Sequence, residues 1–278
     1  MEKLYAVLGY PIGHSMSPFM HNDLFAFYNL EARYLPFQVK PEALEDAVKG
    51  LKAIGVSGFN VTVPHKSSII PLLDNIDPLA MKIGAVNTVV NQNGKLIGYN
   101  TDGPGFLKSL HSLIPDVKDL NVLIIGAGGA SRAIYYTMAS AGARQIDICN
   151  RTLDKATLLI EGCSERVESR VLSAEKASEH LSDYDVIIQT STVGMFPNTQ
   201  VCPVRLENLS SRAIVCDIIY NPLETLFLQE AKQKGVKVQN GIDMFVYQGA
   251  LAFELWTDIF PDIEVMRKNV LNQLGGNK

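Results

Sequence analysis

Apolar and polar positions along the chain switch repeatedly between two periods. Short apolar runs bounded by Gly, Pro or Asn read as strands, and apolar residues spaced three and four apart read as helices. In the first half, "KLYAVLGY" predicts a strand and "SPFMHNDLFAFYNL" a helix, with Ser17 as its N-cap and Pro18 at its first position. "ARYLPFQV" predicts a strand, "PEALEDAVKGLKAIG" a helix closed by Gly55, and "GFNVTVP" a further strand. One or two short helices continue to Ala80, and "AVNTVVNQNGKLIGYNTD" reads as two strands joined by the turn Asn93-Gly94.

The second half opens with "LNVLIIGAGGASRAIYYTMASAGARQIDICNRT", which reads as strand, glycine turn, helix, strand. The run Val122 to Ile125 suits a strand buried on both faces. Further strands are predicted at "YDVIIQTS", "AIVCDIIY" and "VKVQNG", with a helix at "ETLFLQEAKQKG" and a helical C-terminal segment from "GIDMFVYQGALAFELWTDIF" onward. Alternation of this kind predicts an α/β protein of two domains with mostly parallel sheets. The expected boundaries are 1–102 together with 240–278 for the first domain and 103–239 for a Rossmann-like nucleotide domain. The C-terminal helices are expected to return to the first domain, leaving a cleft between the two.

Charge and composition narrow the partners. The formal net charge of −4, with Lys and Arg scattered, gives no electrostatic footprint for nucleic acid. No apolar stretch is long enough for a membrane span, and the start lacks a basic region followed by a long apolar one. The cysteines, at 149, 163, 202 and 216, form no CxxC pair, so free thiols in a reducing cytoplasm are the simplest expectation. No HxH or HExxH spacing points to a metal site.

Two motifs carry chemistry. "GAGGASRA", from Gly126 to Ala133, follows a strand and opens a helix, the context a pyrophosphate needs. Gly126 permits the tight turn, Gly128 and Gly129 allow close approach, and Ser131 stands where a small residue lets helix and strand pack. The following strand ends in "NRT", where a cofactor with a free ribose 2′-hydroxyl would meet an acid. Arg151 with Asn150 and Thr152, and Lys155 one turn on, suit a 2′-phosphate instead, so NADP is expected over NAD. Asp147 is read as mid-strand, too early to reach the ribose.

The second motif is "NVTVPHK", read as a strand with Asn60 and Thr62 on one face, Val61 and Val63 on the other, and Lys66 beyond its end. Small ligands bind just past the carboxyl ends of parallel strands. Three more strand-end segments supply polar groups: Asn87 and Thr88; Asn100, Thr101 and Asp102; and Ser15 with Ser17. Singly, each has a bland role as cap, turn or surface residue. Together they offer hydroxyls, amides, one lysine and one aspartate to a small polyhydroxylated substrate. His14 and His65 read as loop residues.

"PIGHSMSP", "NVTVPHK", "GAVNT", "GYNTDG", "GAGGASRA", "NRT", "STVGM", "YNPLET" and "GIDMFVYQGA" occur in this order, and in this the chain closely resembles the NADP-dependent shikimate dehydrogenases. The resemblance runs from about Tyr5 to Phe260. It implies reversible hydride transfer between NADPH and 3-dehydroshikimate, with Lys66 at the reacting centre and Asp102 beside it. Ser15, Ser17 and Tyr220 would meet the substrate carboxylate, and Asn60, Thr62, Asn87, Asp102 and Gln248 its ring hydroxyls. Gly126, Ala127, Gly128, Gly129, Ala130, Asn150, Arg151, Thr152 and Lys155 would hold NADP. Thr190, Ile218, Gly241 and Met244 would line its nicotinamide end. The reacting carbon would have to meet the nicotinamide across the cleft, so the two domains are expected to close on the ligands. An NAD(P)-dependent quinate/shikimate dehydrogenase stays open as an alternative, as does, from another class, a non-catalytic dinucleotide-sensing regulator. The oligomeric state is not legible, and a homodimer stays open.

Overall fold

The computed structural model describes residues 2–275; Met1 and residues 276–278, which the expected first domain includes, lie outside the described residues. The chain divides into two units, one of residues up to Gly105 together with those from Val246, the other Phe106–Phe245.

The first unit holds a six-stranded sheet. Strand β1 (Lys3–Gly9) lies between β2 (Ala32–Gln38) and β3 (Gly58–Val61), parallel to both. Its continuous apolar sequence follows from burial on both faces. Strand β2 is at the edge, where Pro36 costs the sheet no needed donor. The hairpin β5 (Thr88–Gln92) and β6 (Lys95–Tyr99) extends the sheet beyond β3, and a short β4 (Asn75–Ile76) closes its far edge. The order is β2-β1-β3-β5-β6-β4, and β5 alone runs against the rest. The hairpin turn has positive φ at both Asn93 (55°) and Gly94 (83°), the conformation that Asn-Gly adopts readily.

Helix α1 (Ser17–Phe27) and the long helix α9 (Ile242–Thr257) bring aromatic side chains to this unit: Tyr5, Phe25, Tyr34, Phe253 and Trp256 gather with His21. Val48 and Leu51 of α2 (Leu44–Ala53) belong to another apolar cluster, with Leu8, Phe59, Val61 and Val89. α3 (Pro78–Ile83) is capped by the Asp77 carboxylate and leads into the hairpin. α4 (Asp102–Leu110) follows β6, and α10 (Ile263–Gly275) ends the described chain.

The second unit is a parallel six-stranded sheet of order β12-β11-β10-β7-β8-β9. Its strands are β7 (Asn121–Ile125), β8 (Gln145–Cys149), β9 (Val171–Leu172), β10 (Val186–Gln189), β11 (Ile214–Asp217) and β12 (Lys237–Gln239). Helices α5 (Gly129–Ser140), α6 (Leu153–Glu161), α7 (Ala174–Glu179) and α8 (Leu226–Gln233) make crossovers. The strand order reverses between β7 and β10, the switch point at whose carboxyl ends such sheets bind nucleotides. The architecture is the expected two-part α/β fold with mostly parallel sheets.

Three local expectations change. Ser17 is the first residue of α1 rather than its N-cap; Met16 takes the cap position, and the Ser17 amide finds the Ser15 hydroxyl instead. β3 ends at Val61; Thr62 N still bonds Leu8 O and Val63 O still accepts from Tyr10 N, but the chain turns at Val63-Pro64 and the Val63 side chain is exposed. The two-residue strands β4 and β9 are too short to leave any periodicity in the sequence.

Candidate active site

Just beyond β3 the chain makes a tight turn that sets Lys66. The His65 amide bonds Thr62 O, the Lys66 carbonyl accepts from Val86 N at 2.8 Å, and the buried His65 ring bonds Val39 O at 2.7 Å. His65, read from sequence as a loop residue, is thus an internal strut that fixes its neighbour. Lys66 Nζ lies 2.6 Å from Asp102 Oδ2, with the side chains 19% and 9% exposed. Asp102 opens α4. Asn100 accepts from the amides of Asp102 and Gly103, so it does the capping and leaves the Asp102 carboxylate to other partners.

A buried polar network supports the pair. Asn87 Nδ2 donates to Asp102 Oδ1 at 2.8 Å and to Thr101 Oγ1 at 3.0 Å, while its Oδ1 accepts from Thr101 N at 2.8 Å. Asn60 Nδ2 donates to Asn87 O and Thr88 Oγ1, both at 3.0 Å, and its Oδ1 accepts from the Tyr34 phenol at 2.6 Å. Both amides therefore spend their protons within the protein, and what Asn60 retains is acceptor capacity. Tyr34 is buried, and desolvation pushes its phenol well above the ordinary range. Tyr34 lies 26 residues from Asn60 in sequence, and no motif marked it. Its position on β2, one strand removed from β3 in the sheet, was the only signal, and strand order is not written in the sequence.

Ser15 and Ser17 sit together at the start of α1, half-buried, with the Ser15 Oγ accepting from the Ser17 amide at 3.3 Å and its own proton left to give. Thr62 is half-buried beside Gly9. The Gln248 backbone on α9 abuts Gly105, where a Cβ would come within 2.7 Å of Gln248 N, so this residue stands one turn from Asp102 along α4. In the first unit the structure thus gathers Asn60, Lys66, Asn87 and Asp102 into one hydrogen-bonded network, with Tyr34 bonded to Asn60 at its edge.

The second unit has its own site at the switch point. Gly126 has φ of +116°, and a Cβ there would lie 2.6 Å from Thr190 Oγ1, so only glycine fits. Thr190 Oγ1 donates to Ile125 O at 2.8 Å, and the buried Ser131 hydroxyl donates to Gly126 O at 2.6 Å. Gly128 caps α5 with open space over its Cα. The first amides of α5, from Gly129 through Ser131, precede the first helical bond, which Arg132 N makes to Gly128 O, and so face outward to an anion.

At the end of β8, Asn150 Nδ2 donates to Thr152 O at 2.7 Å, which folds the "NRT" corner. Thr152 caps α6 without a side-chain cap bond, so its hydroxyl is available. Arg151 and Lys155 are exposed beside it. Asp147 is consumed elsewhere: its buried carboxylate accepts from Arg170, Tyr184 and Gln145. Directly after β8 stand Asn150, Arg151 and Thr152 in place of an acid, and Lys155 follows Asp154 in the first turn of α6, so the residues present fit a dinucleotide carrying an extra phosphate. Ile218 continues β11 by bonding Gln189 O at 3.0 Å, and the buried Met244 follows Gly241 on α9. Tyr220 packs against Phe245 with tilted rings 5.0 Å apart, and burial raises its phenol above the ordinary value. Among the described residues no group of three His, Cys, Asp or Glu is arranged to hold a metal ion, and no helix is long and apolar enough to cross a membrane.

Three family models match the chain in succession: the shikimate dehydrogenase substrate binding domain over residues 7–89, shikimate / quinate 5-dehydrogenase over 108–219, and the shikimate 5'-dehydrogenase C-terminal domain over 241–271. The chain is 57% identical to the shikimate dehydrogenase (NADP(+)) of Bacillus mycoides, across 99% of this chain and 100% of that protein. A crystal structure of a shikimate dehydrogenase in complex with NADP+ superposes with a TM-score of 0.92 at 42% identity, covering 98% of this chain and 96% of the other. That of the Thermus thermophilus enzyme, in complex with NADP(H) and shikimate, gives 0.88 at 36% identity, covering 97% and 99%.

Proposed function

The chain belongs to the shikimate dehydrogenase family, and from that premise we propose how its residues divide the work. The protein is an NADP-dependent oxidoreductase that interconverts 3-dehydroshikimate and shikimate on the route to chorismate and the aromatic amino acids. NADPH supplies the hydride when bound.

The first unit serves the substrate. Lys66 spends one of its three protons on Asp102 and directs the others at the carbonyl oxygen, where negative charge grows as hydride arrives. It then gives that oxygen a proton. Asp102 holds the ammonium in place and accepts from a ring hydroxyl. Ser15 and Ser17 donate to the carboxylate. Asn60 meets a hydroxyl as an acceptor, consistent with its committed amide protons. Asn87 engages one only by sharing the proton it gives Thr101. Thr62 and Gln248 complete the set. The second unit serves the cofactor: Gly126 to Ala130 at the pyrophosphate, Asn150, Arg151, Thr152 and Lys155 at the 2′-phosphate, and Thr190, Ile218, Gly241 and Met244 at the nicotinamide. The four free cysteines support the reading of a reducing cytoplasm as the compartment.

The observation that carries this division is the close Lys66–Asp102 pair, braced by Asn87, with the two side chains only 19% and 9% exposed. The test is the rise of nicotinamide absorbance with shikimate and NADP+ set against quinate and NAD+, for the parent chain and Lys66→Ala. The parent is expected to favour the first pairing, and the variant to lose about 10²–10⁴ in turnover. Near-parental turnover in a folded variant, with unchanged substrate binding, removes Lys66 from the chemistry. Loss of NADP(H) turnover with retained NADP binding in the parent itself would favour the regulator.

A further inference from the structure

A buried carboxylate outside the residues assigned above stands directly behind the nicotinamide-lining positions. Asp217 ends β11 and is 2% exposed. Its Oδ1 accepts from the Ile219 amide at 2.9 Å and its Oδ2 from the Thr225 hydroxyl at 2.7 Å. Both donors are neutral. Burial therefore pushes this carboxyl up to about 6, against the pull of those two bonds. A charge kept at such a cost does not serve packing, which an apolar residue would serve better. What it holds is geometry.

The segment it holds has little freedom. Ile218 N bonds Gln189 O at 3.0 Å, and Ile219 O accepts from Gly241 N at 2.9 Å. A Cβ on Gly241 would lie 2.1 Å from Ile218 O, so the two backbones touch with no side chain between them. The Asp217 bond to Ile219 N fixes the peptide that lies between the Gln189 and Gly241 contacts. On the other side, Thr225 gives its only proton to Asp217, so its oxygen faces the Leu228 amide at 3.4 Å and caps α8. One carboxylate thus sets both the 218–220 strip and the helix that follows it.

We propose that Asp217 is a positioning residue for the nicotinamide end of the cofactor, acting through the Ile219 amide and the Thr225 hydroxyl to fix Ile218 against Gly241. It deepens the reading given above, on which it rests, and it concerns the nicotinamide end alone.

The experiment compares the full-length parent with Asp217→Ala, Asp217→Asn, Thr225→Val and Thr225→Ser. Calorimetry reads the affinity for NADP+ and for 2′,5′-ADP, which carries the adenosine end alone. Hydrogen exchange reads the 218–220 amides in the ligand-free chain. Asp217→Ala is expected to weaken NADP+ by about tenfold or more, the scale of one charge-assisted hydrogen bond, while 2′,5′-ADP is unchanged and exchange at 218–220 quickens. Asp217→Asn keeps one acceptor and falls between. Thr225→Ser retains the donor and matches the parent, whereas Thr225→Val does not. Equal losses for both ligands, or no loss for either, overturn the proposal. Should Asp217→Ala fail to fold, the Thr225 pair decides: Val weakened with Ser intact supports it, and equal behaviour overturns it. A parent that binds neither ligand overturns the functional reading itself, and this proposal with it.

Discussion

Replacing Asp102 with Asn alters the chemistry of one atom at the centre of the site. Both oxygens of the native carboxylate accept: Oδ2 from Lys66 Nζ at 2.6 Å and Oδ1 from Asn87 Nδ2 at 2.8 Å. An amide has one oxygen and one donating nitrogen. Whichever way it turns in Asp102→Asn, its NH2 faces either the ammonium or the Asn87 amide, a donor against a donor. The lost charge-assisted bond is worth about 1.5–3 kcal/mol, and the unmatched donor about 1–3 kcal/mol. The side chain is 9% exposed, so water relieves little of this. If the sum, roughly 2.5–6 kcal/mol, reaches the barrier at about 1.36 kcal/mol per tenfold, turnover falls by about 10²–10⁴. The assay is the initial rate of nicotinamide reduction with saturating shikimate and NADP+, with thermal unfolding run alongside. A variant that melts near the parent and turns over within about fivefold of it would refute the argument, because the barrier would then be indifferent to the donor clash.

Arg151→Ala should raise the KM for NADPH by about tenfold to a hundredfold, the range of a charge-assisted bond, and leave NADH unchanged; equal losses for both cofactors would remove Arg151 from the 2′-phosphate. Ser15→Ala should raise the KM for shikimate with turnover nearly kept, since the hydroxyl proton not used by Ser17 is the one lost; a fall in turnover alone would contradict this. His21 is buried against Tyr34 with rings 4.7 Å apart, and desolvation lowers its pKa to about 3. The native state therefore refuses a proton that the unfolded chain binds below about 6.5, so stability is full above that pH and is lost as pH falls toward 3. At about 1.36 kcal/mol per unit, the parent should lose roughly 2 kcal/mol from this group between about pH 6.5 and 5. Denaturant unfolding of His21→Phe should show a correspondingly shallower pH slope, and identical slopes would refute it.

Legibility followed the range of the interaction. The glycine turn could be read because its requirements are local: a strand before it, a helix after it, and a positive φ at Gly126. The hairpin at Asn93-Gly94 was legible for the same reason. Strand β3 was read too long because Thr62 and Val63 continue its apolar-polar alternation, whereas the chain already turns at Val63-Pro64. Ser17 has the chemistry of an N-cap, but the chain enters α1 one residue sooner, and the Ser15 hydroxyl takes the bond. Tyr34 and Asp217 went unmarked and His65 was read only as a loop residue, since each works through burial or through a partner far from it in sequence.

From its sequence alone the chain determined which segments become strands and helices, and which stretches carry phosphate-binding glycines or strand-end polar groups. Those properties depend on side chains within a few residues of one another, where periodicity and turn chemistry act. The tertiary structure alone decided who meets whom. Lys66 and Asp102 are 36 residues apart and touch, and Asp147 is withdrawn from the nucleotide corner by Arg170 and Tyr184, which lie 23 and 37 residues away. Strand order and burial set those contacts, and a charge's partner and its exposure to water are what turn a polar side chain into a strut, a cap or a catalyst.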